Sequence, residues 1–199
     1  ALDALGLHGT VIGLTSISVL KRIAGRVQTV KLCKASPDVP KKHLCSSAVD
    51  AALTGDIIVV ENKETDIAAG WGGILSTAAA AKGLSGVIVD GPARDADESR
   101  DVNFPVFARK ATPYTARGRV AEHGWNIQID VGGVKVDPGD LVLADGSGVV
   151  FVKKNKENEV LDKAEEIQKK EIAMAAAVEA GNPVSDVMGG DYEKMLLSK

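Results

Sequence analysis

Gly86-Val-Ile-Val-Asp-Gly-Pro-Ala-Arg-Asp95 reads as a strand of the buried kind, closed by a Gly-Pro turn that redirects the chain. Upstream of it, Leu75 to Lys82 with four alanines form a helix stopped by Gly83. Before that helix runs the glycine-rich loop Ala69-Gly-Trp-Gly-Gly-Ile-Leu75, and before the loop the β-branched run Ile57-Ile-Val-Val60. Strand, helix and strand are thus in hand. Downstream lie the short runs Val106-Phe107, Ile127 to Val131, Val134 to Val136, Leu141 to Leu143 and Val149 to Val152, punctuated by Gly, Pro and Asp. This succession predicts an α/β domain built on a mixed sheet or a partly closed barrel, with one good helix in the middle block.

The flanks read differently. Residues 1 to about 55 are expected to hold helical stretches around a strand at Arg26 to Leu32, followed by a loop at Ser36 to Pro40 whose two prolines forbid a ladder. From Lys153 to about Ala180 the chain is charged and reads as one long helix, ended by Gly181-Asn182-Pro183. The organisation is therefore a domain over 1–152 and a C-terminal helix and tail over 153–199, packing on that domain or on a neighbouring subunit.

Composition narrows the function. The 199 residues are 45% hydrophobic and 26% charged, which suits a packed core. With 24 basic and 27 acidic side chains the net charge is −3, so no basic field favours nucleic acid. No apolar run reaches the roughly 20 residues that span a bilayer. No apolar leader opens the chain, and Cys33 and Cys45 form no CxxC pair, so a reducing, cytoplasmic setting is expected.

Three features carry chemistry. The glycine loop entering a helix can turn its amides toward one point, where the helix N-terminus adds positive charge; that suits a carboxylate or phosphate. The alternative is a turn without a ligand. Arg94 and Asp95 sit just past the C-terminal end of a strand, where ligands of open α/β sheets bind. There Arg94 would grip an anion with its planar fork and Asp95 would hold a hard divalent cation, or the two form a local salt bridge. Third, Val160, Ala164, Ile167, Glu171, Met174 and Val178 make one helical stripe, apolar except for Glu171. That acid either points into a cleft or snorkels to solvent. Zinc spacing, a GxSxG elbow and a nucleotide-binding glycine pattern are all missing.

Gly55-Asp56 to Val60, Trp71-Gly-Gly-Ile-Leu75, Gly83 to Asp95, Phe104-Pro-Val-Phe-Ala-Arg109, Gly132-Gly-Val-Lys-Val-Asp-Pro-Gly-Asp140 and Ala144 to Val150 together resemble the RraA-like family. That family includes class II 4-hydroxy-4-methyl-2-oxoglutarate (and 4-carboxy-4-hydroxy-2-oxoadipate) aldolases and regulators of ribonuclease E. The resemblance implies an α/β sandwich like the swivelling phosphohistidine domain, assembled as a homotrimer or hexamer. It implies a metal-dependent lyase that releases pyruvate from a small 2-oxo acid, by aldol cleavage or by decarboxylation of oxaloacetate. In that scheme the amides of Gly72, Gly73, Ile74 and Leu75 bind the substrate carboxylate, Arg94 contacts substrate oxygens, and Asp95 anchors Mg²⁺ or Mn²⁺. Glu171 falls where the longer, active members carry an acid that reaches a neighbouring subunit. One departure stands out: described aldolases have a carboxylate where this chain has Gly73, so Glu171 or a metal-bound water would have to move the hydroxyl proton. The alternative reading is a non-enzymatic ribonuclease E regulator that binds a protein.

Overall fold

The computed structural model describes residues 1–39 and 42–190; Pro40 of the expected loop and the end of the expected tail lie outside them. The strands are β1 (Thr10–Val11), β2 (Thr15–Ser16), β3 (Ile23–Lys34), β4 (Ile57–Glu61), β5 (Gly86–Ala93), β6 (Val106–Ala111), β7 (Val120–Trp125), β8 (Ile129–Val131), β9 (Val134–Val136), β10 (Leu141–Ala144) and β11 (Val149–Val152). The α-helices are α1 (Ser46–Ala51), α2 (Gly73–Ala81), α3 (Ala96–Asp101), α4 (Glu157–Glu179) and α5 (Val184–Val187). Two compact units result: His8–Lys154, and Ala1–Leu7 with the residues from Asn155 onward.

In the larger unit nine strands make one curled mixed sheet, ordered β1-β11-β10-β3-β4-β5-β6-β2, with β7 also paired to β3. β3 through β6 run parallel and the remaining pairs are antiparallel. Parallel strands are covered on both faces, and every residue of β4 and β5 is buried. Side chains alternate across the sheet. Val87 and Val89 join the core under α1 and α2, with Trp71 and Leu75. Ile57, Val59, Ile88 and Phe107 join a second core closed by β1, β10, β11 and the β8–β9 hairpin.

This is the mixed α/β fold with a C-terminal helix that the sequence predicts, with two corrections and one open alternative met on the C-terminal helix. The first block is mainly strand, because β3 extends over twelve residues to pair with β10, β4 and β7 in turn. A second helix, α3, interrupts the middle block; at six residues and with the sequence Ala-Asp-Glu-Ser-Arg-Asp it has no apolar period to betray it. And on α4 Glu171 is exposed, while Ala164, Ile167 and Met174 are half-buried and Val160 is buried. Lys163, Glu166 and Lys170 are half-buried beside them, and Glu166 accepts hydrogen bonds from both lysines. No helix among the described residues is long and apolar enough to cross a membrane.

A row of charge crosses the parallel strands below the second core. Lys31, Glu61 and Asp90 stand in register on β3, β4 and β5, and Arg109 follows on β6. Arg109 Nε donates to Asp90 Oδ1 at 2.7 Å, and Lys31 Nζ lies 3.4 Å from Glu61. The hairpin is pinned on this row: Asp130 N–H donates to Glu61 and Gly132 N–H to Asp90, each at 2.8 Å. Lys63 bonds the Asp130 carboxylate and, with Lys135 and the Gly133 N–H, outweighs partial burial to hold its pKa down at about 2. A carboxyl depressed in the folded state stabilises above its unfolded pKa of roughly 4 and loses that contribution as pH falls toward the folded value. Thermal melts between about pH 4 and pH 2 should therefore fall less steeply for Asp130→Asn than for the parent chain.

Candidate active site

The glycine loop and the Arg-Asp pair meet. Gly70 N–H donates to Pro92 O at 2.9 Å and Arg94 N–H donates to Trp71 O at 3.0 Å, so the loop is laced to the end of β5 like an added strand. Trp71 is buried against Phe104, with ring centroids 6.2 Å apart. Its indole N–H donates to Ser76 Oγ at 2.9 Å, Ser76 Oγ is 2.8 Å from Ser99 Oγ, and Ser99 Oγ donates to Asp95 O at 3.0 Å. That buried chain ties the first turns of α2 and α3 together.

Asp95 has a left-handed backbone, φ 58°, as the N-cap of α3. Such a conformation in a non-glycine residue costs about 1–2 kcal/mol and gathers at functional positions. Here it turns the carboxylate back on the loop: Oδ2 accepts the Gly73 N–H at 2.9 Å and lies 3.5 Å from Arg94 Nε. A Cβ on residue 72 would stand 2.9 Å from Asp95 Oδ2, and one on residue 73 would stand 3.0 Å from Glu98 Cβ. A side chain at either position would crowd Asp95. The amides of Ile74 and Leu75, in the first turn of α2, have no acceptor within the helix, which leaves them open to a ligand.

Gly72, Gly73, Ile74, Leu75, Arg94 and Asp95 thus lie together. Glu171 belongs to the other compact unit. Glu98, one turn beyond Asp95 and exposed, is a carboxylate beside the loop that the sequence reading missed; Asp95-x-x-Glu98 at a helix start was its signal. At the departure, Gly73, a Cβ would stand close to Glu98 and Asp95.

Residues 1–151 match the RraA-like family, described as Aldolase/RraA. The chain belongs to that family. An RraA-like relative, the putative 4-hydroxy-4-methyl-2-oxoglutarate aldolase of Halalkalibacterium halodurans, is 31% identical over 177 residues, 88% of this chain and 81% of that one. Protein DlpA of Legionella pneumophila is 26% identical over 182 residues; they make 92% of this chain but the chain spans only 30% of DlpA. Among RraA-like structures, Streptomyces coelicolor RraAS2, described as an unusual member of the RNase ES inhibitor RraA protein family, superposes with a TM-score of 0.77 at 27% identity, over 85% of each chain.

The donor set can be tested against a divalent cation. Among the described residues no group of three His, Cys, Asp or Glu gathers to hold a metal. Asp95 keeps one oxygen, Oδ1, outside its contacts with Gly73 and Arg94. A single carboxylate with water and substrate oxygens fits Mg²⁺ or Mn²⁺, which keep several waters, and does not fit a structural zinc site.

Proposed function

We propose that the chain is a divalent-metal-dependent lyase that cleaves a carbon–carbon bond of a small 2-oxo acid and releases pyruvate. The reading is supported above all by the 2.9 Å contact of Gly73 N–H with Asp95 Oδ2, which puts the anion-binding amides and the candidate cation ligand at one point. Asp95 would hold Mg²⁺ or Mn²⁺ through Oδ1. The cation supplies Lewis-acid polarisation of the 2-keto group. The amides of Gly73, Ile74 and Leu75 receive the substrate 1-carboxylate, with Asp95 Oδ2 yielding the Gly73 N–H to it. Arg94 offers its fork to the oxygen on which negative charge grows as the bond breaks.

Both 4-hydroxy-4-methyl-2-oxoglutarate and oxaloacetate yield pyruvate this way. Oxaloacetate loses CO₂ with no hydroxyl to deprotonate, so it suits a chain with glycine at position 73; Glu98, or Glu171 from a neighbouring copy in a trimer or hexamer, is the acid open to the aldol step. In a pyruvate-release assay over a panel of 2-oxo acids, EDTA should abolish turnover and Mg²⁺ or Mn²⁺ should restore it. Borohydride with substrate should trap no adduct, since no lysine Schiff base is used. A metal-indifferent enzyme trapped by borohydride would overturn the mechanism.

The likeness to Streptomyces coelicolor RraAS2, a member of an RNase ES inhibitor family, favours a second reading: a binding module that restrains a ribonuclease through protein contact. The two readings part on Arg94, which a pure binding module does not need for chemistry.

A further inference from the structure

Asn62 follows directly on β4 and is 1% exposed. Its Nδ2 donates to Ala68 O at 2.9 Å, while its Oδ1 is buried with no hydrogen-bond partner among the described residues. Leaving a buried polar atom unpaired costs about 1–3 kcal/mol, so the amide calls for an account. The surroundings are built around it. A Cβ on Gly70 would stand 3.1 Å from Asn62 Nδ2, and one on Gly91 would stand 2.4 Å from Asn62 O and 2.9 Å from its Cβ. Two glycines, one in the site loop and one in β5, leave the room that this side chain and its backbone fill. Asn62 N–H also donates to Asp90 O at 3.2 Å. The residue therefore touches both halves of the site, the loop that carries the amides and the strand that delivers Arg94 and Asp95.

Other donors hold further carbonyls of the same loop. Ala68 O is taken by Asn62, Gly70 O by the buried Cys45 thiol at 3.6 Å, and Trp71 O by Arg94 N–H. Burial, with Glu122 nearby, pushes the Cys45 thiol up, so it stays protonated as a donor. With its carbonyls held inward, the loop enters α2 in one fixed orientation.

We propose that Asn62 is a positioning residue that sets the amides of Gly73, Ile74 and Leu75 for the substrate carboxylate, a role that rests on the lyase reading. Such amides hold the carboxylate in ground and transition states alike, so loosening them raises KM more than it lowers kcat. Asn62→Leu keeps the approximate volume while deleting both the donor and the unpaired acceptor. Expected for it are an amide exchange rate at the hydrogen-bonded Gly70 and Gly73 raised roughly tenfold, and a KM and a pyruvate Kd in Mg²⁺ raised about as much, the yield of one lost hydrogen bond of about 1.4 kcal/mol. Exchange at Val87 to Val89 should stay as in the parent. If Asn62→Leu does not fold, Asn62→Ser makes the same comparison with a shorter side chain. Unchanged exchange at Gly70 and Gly73 in the folded variant overturns the proposal. A parent chain that binds no pyruvate defeats the lyase reading alone, because the exchange rates still decide whether Asn62 holds the loop.

Discussion

Arg94→Ala should lower kcat/KM for pyruvate release by roughly 10²–10³, the loss typical of removing one preorganised donor from a site where an oxyanion forms. The side chain is 42% exposed and its ion pair with Asp95 is 3.5 Å long, so it contributes little to folding. The melting temperature should hold. Arg94→Lys should recover only a small part of the rate, since an ammonium is a point charge and cannot reproduce a planar two-pronged contact. Kinetics and melts on the three proteins measure this directly. Full turnover by Arg94→Ala would remove the residue from the chemistry. If the parent shows no lyase activity and Arg94→Ala still restrains a ribonuclease, the binding reading is the one that stands.

Why this pair could be read from sequence at all is instructive. Gly86 to Asp95 has a buried run, a turn and the adjacent opposite charges Arg94 and Asp95 within ten residues, and each is a local signal whose consequence is local. The glycine loop is legible for the same reason, because a helix start and its amides need no distant partner. What sequence cannot carry is parity across a sheet. Glu61, Asp90 and Arg109 are scattered as three charges along three strands, and only the register of β4, β5 and β6 makes them one row. Asn62 was invisible likewise, since its meaning lies in Gly70 and Gly91, eight and twenty-nine positions away. α3 failed for want of length: a six-residue helix made of polar residues shows no period, yet it places Glu98 and sets the backbone of Asp95. Glu171 is a different case: along its stripe Val160, Ala164, Ile167 and Met174 are covered, and the acid is exposed, one of the two outcomes that the stripe allowed.

That charge row sets the larger effect on stability. Arg109→Met should destabilise the chain by about 1–3 kcal/mol, the cost of leaving a buried polar group without its partner, because Asp90 is buried although the guanidinium it pairs with is partly exposed. Asp90 is 5% exposed; after the change its Oδ1 loses the 2.7 Å guanidinium contact, and Lys63 at 3.6 Å from Oδ2 replaces it poorly. Gly132 N–H still bonds Oδ2, but one neutral donor does not offset a buried carboxylate. The penalty belongs to the unpaired charge rather than to lost packing, because methionine fills much of the same space. It follows that Asp90→Asn combined with Arg109→Met should be more stable than Arg109→Met alone, a sign that a volume defect cannot produce. Denaturant melts of the parent, the two single variants and the double variant give the four corners of that cycle. The alternation of β5 puts Asp90 on the face of Ile88, away from the α2 side where Val87 and Val89 pack. Well below its lowered melting temperature, Arg109→Met should therefore keep the parent's KM, which separates the row that holds the hairpin from the residues that hold the substrate.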